Sequence, residues 1–410
     1  ANLTIGQIDE TITFAALPAR TYGDEDFPAG ATSDNGAVAI TYTSSNLAVA
    51  TVSGGTIHIL SAGSTIITAS QAGDAGHTAA TNVQRTLNVN PAAITVTANS
   101  QSKAFGAADP TLTYQVTSGA LVGTDTFNGT LTREPGETVG SYAIKQGTLA
   151  LNANYSLTFV GASLTIGNAA AVISFNPITA KTYGDVDFAA SATSTNTGKA
   201  VTYTSSNTAV ATIAGANIHI VGAGTTIITA SQAAGTGYNA AVNVQQTLTV
   251  NKAVLTITAG NTTRVYHEAN PAFVINYSGF VNGDGQASLT KAATAKTTAD
   301  INSTVGSYDI VPFDAVSANY SFNYVNGKLT ITPATRTLTF NTLPVKVYGD
   351  ADFDAGATAS TGEPIIYSGY NPAIVTIVNG KIHITGAGTT AITATVAASG
   401  TQQFTATVAN

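Results

Sequence analysis

The stretch "TYTSSNLAVATVSGGTIHILSAGSTIITASQA" at residues 41–72 returns at residues 202–233 as "TYTSSNTAVATIAGANIHIVGAGTTIITASQA". Within it, β-branched and aromatic residues alternate with small polar ones, and Gly, Asn and Ser interrupt each run. This period of two predicts short β-strands separated by tight turns. Because the whole stretch recurs, the repeat decides the organisation of the chain more than any single motif does.

Self-comparison divides the 410 residues into two alternating repeat types, A and B. Repeat A carries "IHI" at 57–59, 218–220 and 382–384, whereas B carries "VGSYAI" at 139–144 and "VGSYDI" at 305–310. A3 stops at "FTATVAN", which predicts that it is truncated before its last strand. The 410 residues are therefore predicted to be a window from a longer array of repeats. The predicted boundaries are 1–10 (last strand of a preceding B), 11–91 (A1), 92–168 (B1), 169–252 (A2), 253–333 (B2) and 334–410 (A3).

The predicted fold class is all-β, a rod-like tandem array of sandwich domains. Several short strands in each A repeat predict an immunoglobulin-like β-sandwich. For B, a sandwich and a β-grasp-like fold with a helical turn near 119–127 both stay open. The joints are predicted to hold three or four residues. Because a proline ring fixes φ, Pro91 and Pro333 predict semi-rigid joints.

Composition excludes several classes of function. Hydrophobic residues make up 44% of the chain, enough for packed cores, but only 9% are charged, against about 25% in typical soluble domains. Without Cys there are no disulfides and no thiolate metal sites. The net charge of −7, with scattered Lys and Arg, gives no basic patch for nucleic acid. The apolar runs are too short to cross a bilayer, so no membrane insertion is expected in this segment.

An acidic motif opens each A repeat. "TYGDEDF" at 21–27 returns as "TYGDVDF" at 182–188 and "VYGDADF" at 347–353. Its paired acids could bind Ca²⁺, the only cofactor considered. In B, however, the second acid aligns with Asp109 or Asn270, and Asn keeps an acceptor oxygen while losing the charge, which favours a turn or cap. The calcium candidates are Asp24, Asp26, Asp185, Asp187, Asp350 and Asp352.

No pattern in the sequence indicates catalysis, and the chain is predicted not to be an enzyme. His58, His219 and His383 each occupy the centre of "IHI", where alternation points them outward. They lie in separate repeats and cannot share one metal ion. The glycine phrase "GAGTT" connects two strands and precedes no helix, so it predicts a hairpin turn and not a phosphate loop.

The B repeats resemble the MBG domain of the YGX type, found in large bacterial surface proteins. The resemblance is carried by "VYHEANPAF" at 265–273, "VGSYDI" at 305–310 and "NYSFNYVNGKLTI" at 319–331. B1 departs from it with "AFGAADP", and B2 has His267 where the family has Gly. The A repeats resemble bacterial Ig-like modules that alternate with MBG domains in giant adhesins of Bacteroidota, including gliding-motility adhesins exported by the type IX secretion system.

The resemblance implies a structural stalk segment of a cell-surface adhesin filament, serving attachment and gliding motility. It implies an extracellular location on the bacterial surface. The expected partners are an extracellular surface or polysaccharide, with the secretion and motility machinery engaged through regions outside 1–410. The alternatives are an array of carbohydrate- or calcium-binding modules, or accessory modules of a secreted enzyme.

Overall fold

The computed structural model describes residues 1–396 and 404–407, and its regular structure is almost entirely β-strand. Among these residues one short 3₁₀-helix, Gln286–Ser288, is the only helical element, and none of them belongs to a helix long and apolar enough to span a membrane. The chain forms two compact bodies. The first comprises Ala1–Val172, Ser194–Ala200 and Gln232–Val242, and the second comprises Ile173–Thr193, Val201–Ser231 and Asn243–Asn410. The fold is an all-β tandem array of sandwich repeats, as predicted.

Repeat A1, in the first body, is a sandwich of short strands. Its main sheets have the orders β2-β9-β8-β5 and β3-β7-β6, and β1 pairs with β4. Strand β2 runs parallel to β9, and the other pairs are antiparallel. Its core includes the fully buried Ile57, Ile67 and Leu87. The strands are β1 (Ile12–Thr13), β2 (Arg20–Thr21), β3 (Phe27–Pro28), β4 (Thr32–Ser33), β5 (Thr41–Ser44), β6 (Ala50–Ser53), β7 (Thr56–Ile59), β8 (Gly63–Ser70) and β9 (Val83–Asn90).

Repeat B1 follows in the same body and has two sheets, ordered β12-β10-β15 and β11-β16-β14-β13. The helical turn considered for 119–127 does not form. Instead, the backbone N–H of Asp125 donates to the carbonyl of Val122 at 3.1 Å and closes a β-turn. B1 is therefore a two-sheet module without a helix. The strands are β10 (Ala92–Ala98), β11 (Gln101–Ala104), β12 (Tyr114–Ser118), β13 (Thr132–Arg133), β14 (Gly140–Lys145), β15 (Tyr155–Val160) and β16 (Ala162–Gly167).

Repeats A2 and B2 follow the same plan, and their strands lie in the second body except for Ser194 at the end of β20. The A2 sheets are ordered β18-β25-β24-β21 and β19-β23-β22, and the B2 sheets are ordered β28-β26-β31 and β27-β32-β30-β29. The strands are β17 (Ile173–Phe175), β18 (Lys181–Thr182), β19 (Phe188–Ala189), β20 (Ala192–Ser194), β21 (Thr202–Ser205), β22 (Ala211–Ala214), β23 (Asn217–Ile220), β24 (Gly224–Ser231), β25 (Val244–Asn251), β26 (Ala253–Ala259), β27 (Thr262–Val265), β28 (Ile275–Ser278), β29 (Thr294–Lys296), β30 (Gly306–Phe313), β31 (Tyr320–Val325) and β32 (Gly327–Thr332).

Repeat A3 completes the second body with sheets ordered β35-β33-β40, β34-β38-β37 and β36-β39. The predicted truncation concerns its last residues, of which 408–410 lie outside the described part of the chain. The strands are β33 (Ala334–Thr339), β34 (Phe353–Asp354), β35 (Thr358–Ala359), β36 (Ile365–Ser368), β37 (Val375–Val378), β38 (Lys381–Ile384), β39 (Thr393–Val396) and β40 (Phe404–Thr407).

No strand forms in residues 1–10, where the last strand of a preceding B was predicted. Residues 1–7 are irregular with Leu3 and Ile5 exposed, and Ile8 makes a single parallel bridge to His77. The matching strand of B1, β16, is held by β11 and β14 of its own repeat. In the part of the chain that the structure describes, no strand pairs with residues 1–7.

Three of the joints are shorter than predicted. Strand β9 ends at Asn90 and β10 begins at Ala92, so Pro91 alone links A1 to B1. Lys252 alone links A2 to B2, and Pro333 alone links B2 to A3. The prediction of three or four residues was wrong because the last strand of one repeat extends to the first strand of the next.

The repeated "TYTSSN" folds around a buried hydroxyl on the neighbouring strand. Thr65 is 2% exposed, and its Oγ1 accepts the backbone N–H of Asn46 at 2.9 Å and lies 2.7 Å from the hydroxyl of Ser44. In A2, Thr226 accepts the N–H of Asn207 at 2.9 Å. The turn after β5 is therefore fixed from β8.

Thr65→Val is expected to destabilise A1 by about 1–3 kcal/mol, because valine keeps the shape but leaves the Asn46 N–H without an acceptor. Urea unfolding followed by far-UV circular dichroism measures this. Thr43→Val, on an exposed position of β5, is the control and should change stability little. Equal midpoints for the two variants would contradict the assigned role.

Candidate functional site at the joints between repeats

The first acid of the repeated motif closes a turn. In A1 the carboxylate of Asp24 accepts the backbone N–H of Thr21 at 2.9 Å, and the N–H of Asp24 donates to the Thr21 carbonyl at 2.9 Å. Gly23 lies inside this turn with φ of 94°, a conformation that favours glycine. Asp185 and Asp350 make the same side-chain bonds, to the N–H of Thr182 and Val347. In A1 and A2 the turn directs the tyrosine before the glycine toward the following B repeat.

The second acid has a different partner. Asp26 lies 2.5 Å from Nδ1 of His58, on the strand that pairs with β3. The same contact joins Asp187 to His219 at 2.7 Å and Asp352 to His383 at 2.6 Å. The three histidine side chains are 36%, 57% and 60% exposed, as strand alternation predicts.

The six calcium candidates are therefore divided by the fold. In each motif the first acid bonds to the backbone of its own turn and the second to a histidine of the next sheet strand. In the described part of the chain, none of the six belongs to a group of three or more potential metal-ligating side chains. Calcium binding by these acids stays a prediction.

At the A1–B1 joint, Tyr22 and a tyrosine of B1 share one carboxylate. The hydroxyl of Tyr22 donates to Oδ2 of Asp125 at 3.0 Å, and that of Tyr155 donates to the same oxygen at 2.7 Å. The two rings meet edge to face, with centroids 5.5 Å apart. Tyr22 packs against the hydrophobic cores of both repeats. The turn of the acidic motif thus holds one repeat against the next.

The A2–B2 joint in the second body has the same geometry. Tyr183 donates to Oδ2 of Asp284 at 2.9 Å, and Tyr320 donates to it at 2.8 Å. The two rings again meet edge to face, at 5.6 Å and 90°. Tyr320 is 1% exposed, so this carboxylate lies beside a fully buried ring.

Glycine is required in the motif for a second reason, close approach. A Cβ on Gly23 would lie 2.6 Å from Cγ2 of Val122, and a Cβ on Gly184 would lie 2.6 Å from Cγ2 of Val281. Carbon atoms do not approach this closely without displacement. In A3, a Cβ on Gly349 would meet nothing within 4 Å, although φ is 99°.

A second hydrogen bond, from a backbone N–H of repeat A to an asparagine side chain of repeat B, tethers each A–B pair beside the shared carboxylate. Oδ1 of Asn154 accepts the N–H of Ala62 at 2.9 Å, and Oδ1 of Asn319 accepts the N–H of Ala223 at 2.9 Å. Each asparagine directly precedes the buried tyrosine of its B repeat. Every A–B joint therefore has two polar contacts besides its single linking residue.

Burial and the shared acid shift the titration of these groups. Burial, together with the hydrogen bond to Asp284, raises the pKa of Tyr320 to about 12. Burial raises the pKa of Tyr22 as well, with Asp125 adding to the effect. Burial opposes ionisation of Asp284, but hydrogen bonds from Tyr320 and Tyr183 outweigh it and leave the pKa of Asp284 below its ordinary value. At neutral pH the A2–B2 joint holds the neutral phenols of Tyr183 and Tyr320 around the ionised carboxylate of Asp284.

Repeats B1 and A2 are in contact through two aromatic rings, with no shared carboxylate between them. Phe105 meets Tyr238 edge to face at 5.6 Å, and a Cβ on Gly237 would lie 2.4 Å from the Phe105 ring. The N–H of Ala169 donates to the carbonyl of Gly237 at 2.8 Å. All these residues lie in the first body. Phe105 is the aromatic residue of "AFGAADP", so the B1 form of the motif also contacts the following repeat.

The second acid position of the motif serves a basic side chain in B. Asp109 accepts Nε of Arg133 at 2.6 Å, and Asn270 accepts Nε of Arg264 at 2.7 Å. The prediction that Asn could replace Asp as an acceptor agrees with this geometry. The donor is a guanidinium, however, and not a turn N–H. Sequence reasoning did not foresee this partner.

Comparison with known proteins finds one family model that matches the two B repeats. The model of the MBG domain (YGX type) matches residues 94–165 and 255–330. These two segments lie within B1 and B2 and carry the joint residues Asp125, Tyr155, Asp284 and Tyr320. No curated protein sequence matches the chain.

Several solved multi-domain structures are similar to the chain at low identity. Drosophila N-cadherin EC1-4 is 10% identical, with a TM-score of 0.21, covering 78% of this chain and 99% of that one. The protocadherin GammaB4 extracellular domain is 10% identical, with a TM-score of 0.27, covering 93% and 80%. Surface layer protein SbsC, domains 1–6, is 13% identical, with a TM-score of 0.23, covering 97% and 68%. The sandwich assignment rests on the strand pairings of this chain and not on these likenesses.

Gly23→Ala is expected to open the A1–B1 joint, because the methyl group overlaps Val122 as well as straining φ. Overpacking of this kind costs about 1–3 kcal/mol. Hydrogen exchange should become faster in residues 119–127, where the N–H of Val122 donates to the Tyr155 hydroxyl.

The matched control for that substitution is Gly349→Ala. It has the same strained φ but meets no neighbouring atom, so it measures backbone strain alone. If the two variants lose equal stability, close approach at the joint is not the reason for glycine.

A spectrophotometric titration of tyrosinate absorbance is expected to contain a component with a midpoint near pH 12, which Tyr320→Phe removes. The pKa of Tyr320 is higher in the folded joint than in the unfolded chain, where it is about 10. The joint therefore stabilises the neutral phenol, and this stabilisation is complete below pH 10. It is lost as the pH rises through about 12. Asp284→Asn should lower the midpoint, and Tyr324→Phe should leave it unchanged. A titration complete by pH 11 would contradict the assignment.

Proposed function

We propose that this chain is a stalk segment of a giant repetitive adhesin filament at the bacterial cell surface, where it serves attachment and gliding motility. The observation that carries the proposal is the shared-carboxylate joint, which recurs at A1–B1 and A2–B2 with one linking residue. A stalk must transmit tension from one module to the next. A catalytic or ligand-binding module does not require its neighbour to be held in this way.

The joint resists separation through several modest bonds acting together. A hydrogen bond to a charged group contributes about 1.5–3 kcal/mol, and one between neutral groups about 0.5–1.5 kcal/mol. At A1–B1 these are the bond from Tyr22 to Asp125 and the tether from Ala62 to Asn154. The edge-to-face ring pair adds about 0.5–1.5 kcal/mol. Bending the joint breaks all of them at once.

Export by the type IX system and attachment to an extracellular surface or polysaccharide belong to the same proposal. They are supported by the resemblance of the whole repeat pattern to gliding-motility adhesins and by the MBG-type segments. The low charged fraction of 9% suits exposed faces that make weak, water-mediated contacts, because such contacts need no fixed ion pairs.

Antibodies raised against residues 1–410 are expected to label intact producing cells on their outer face. Cells carrying Asp125→Asn and Asp284→Asn together should detach from a surface at lower shear than wild-type cells, because each joint loses the carboxylate that accepts two tyrosine hydroxyls. Microscopy under controlled flow measures this.

The control for the flow experiment is Asp354→Asn, which removes an exposed acid paired with Lys381 and should leave detachment unchanged. Labelling that requires permeabilised cells would rule out the surface location. Normal surface labelling with unchanged detachment of the joint variant would instead rule out the mechanical role of the joints. Glycan binding by the intact chain that survives both joint substitutions would favour the binding-array alternative.

A further inference from the structure

Repeat A1 contains a group of metal-ligating side chains outside the joints. Ligand atoms of Glu10, Asp74 and His77 all lie within 4.8 Å of one another. Glu10 lies just before β1, and the other two lie in the loop between β8 and β9. This is the only group of three or more such side chains in residues 1–396, where side chains are described.

The buried acid of this group is incompletely paired. Glu10 is only 7% exposed, and its Oε2 is buried without a hydrogen-bond partner. Its other oxygen accepts a hydrogen bond from Nδ2 of Asn35. Moving a carboxylate oxygen out of water without a partner is costly, so buried carboxylates are paired or bind a metal ion. The unpartnered oxygen belongs to the one residue of the group that solvent cannot reach.

Hydrogen bonds in and around the group orient the other two side chains. Asp74 accepts the N–H of Gly76 at 2.8 Å and Nδ1 of His77 at 2.9 Å. Nδ2 of Asn35 also donates to Asp74 at 3.1 Å, and its amide is oriented by the N–H of Ala37, which donates to Oδ1 at 3.0 Å. The bonds from Gly76 and Asn35, which are not ligands, orient Asp74 in the way that outer hydrogen bonds orient ligands in metal sites.

The A2 repeat shows that the fold does not require these side chains. At the three matching positions, 161 residues later, A2 has Ala171, Gly235 and Tyr238. The local backbone is the same, because Ala169 bridges Tyr238 as Ile8 bridges His77. An acid buried only for structural reasons would be expected in both copies.

The A3 repeat places a positive charge at the matching position. Arg336 occupies the place of Glu10 and pairs with Glu363 at 3.0 Å. Its side chain is 6% exposed. In A3 a cation paired with an acid therefore stands at the position that Glu10 occupies in A1.

We propose that Glu10, Asp74 and His77 bind one divalent transition-metal ion of the zinc class. An imidazole with two carboxylates suits such ions, whereas Ca²⁺ prefers oxygen ligands alone. In a tetrahedral site with bonds of about 2.0–2.2 Å the ligand atoms lie about 3.4 Å apart. In the structure the ligand atoms are at most 4.8 Å apart. Rotation of the half-buried Asp74 and His77 side chains shortens these distances to the value that the ion requires. The ion fastens the segment before β1 to the loop after β8 and leaves one coordination position for water.

Calorimetric titration of the intact, chelator-treated chain with Zn²⁺ alone tests the site. One tightly bound ion per chain is expected, with Co²⁺ giving the visible absorption of a low-symmetry four-coordinate site. Substituting a residue that only orients a ligand weakens metal binding about 10–100-fold. Glu10→Gln and His77→Ala remove ligands, so each should weaken Zn²⁺ binding by more than that. His58→Ala, in the other histidine contact of A1, should leave the tight site unchanged.

A variant that carries the A2 residues, Glu10→Ala with Asp74→Gly and His77→Tyr, guards against loss of binding through misfolding. It should fold, since A2 has these residues in the same backbone, and should lose both the tight ion and the Zn²⁺-dependent rise in melting temperature. No tight Zn²⁺ binding by the native chain would overturn the proposal. Binding that persists in the triple variant would overturn it equally.

Discussion

The constraint on which the joints depend is the sharing of one carboxylate oxygen by two phenols from successive repeats. A partly buried acid keeps a low pKa when donors replace the water that it loses. In the second body, Asp284 receives both donors, one from A2 and one from B2. Neither repeat alone supplies both donors, so Asp284 has its two phenol hydrogen bonds only when the two repeats are in contact. The polar contact thereby selects one arrangement of the pair, which apolar packing alone would leave less defined.

The strands were predictable because their signal is local. Four strands of A1, β5 to β8, lie within the stretch at 41–72, and β8 buries Ile67 and Ala69 on one face as its alternation requires. The side-chain period of a strand is set by neighbouring residues and needs no distant partner. The linker length was mispredicted because the end of a strand depends on its pairing partners. β10 begins directly after Pro91 because it pairs with β15, more than fifty residues later.

The joint was not predicted because its partners are distant in sequence. Tyr22 and Asp125 are separated by 103 residues, and no periodicity connects them. A signal was nevertheless present. Both B repeats keep Val and Asp three residues apart, as Val122 with Asp125 and Val281 with Asp284, and both keep Asn before the buried tyrosine. These residues recur in B and have no equivalent in A, which is typical of a contact made by one repeat type with the other.

The acidic group of A1 escaped sequence reasoning for the opposite reason. Comparison of repeats selects what the copies share, and it drew attention to Asp24 and Asp26, whose partners prove to be the turn and His58. Glu10 and His77 differ in every copy and therefore looked like ordinary variation. In a tandem array, shared residues report what every module must do, namely fold and join its neighbour. A chemical function that belongs to one module must lie among the residues that its copies lack, provided that the shared backbone brings those residues together.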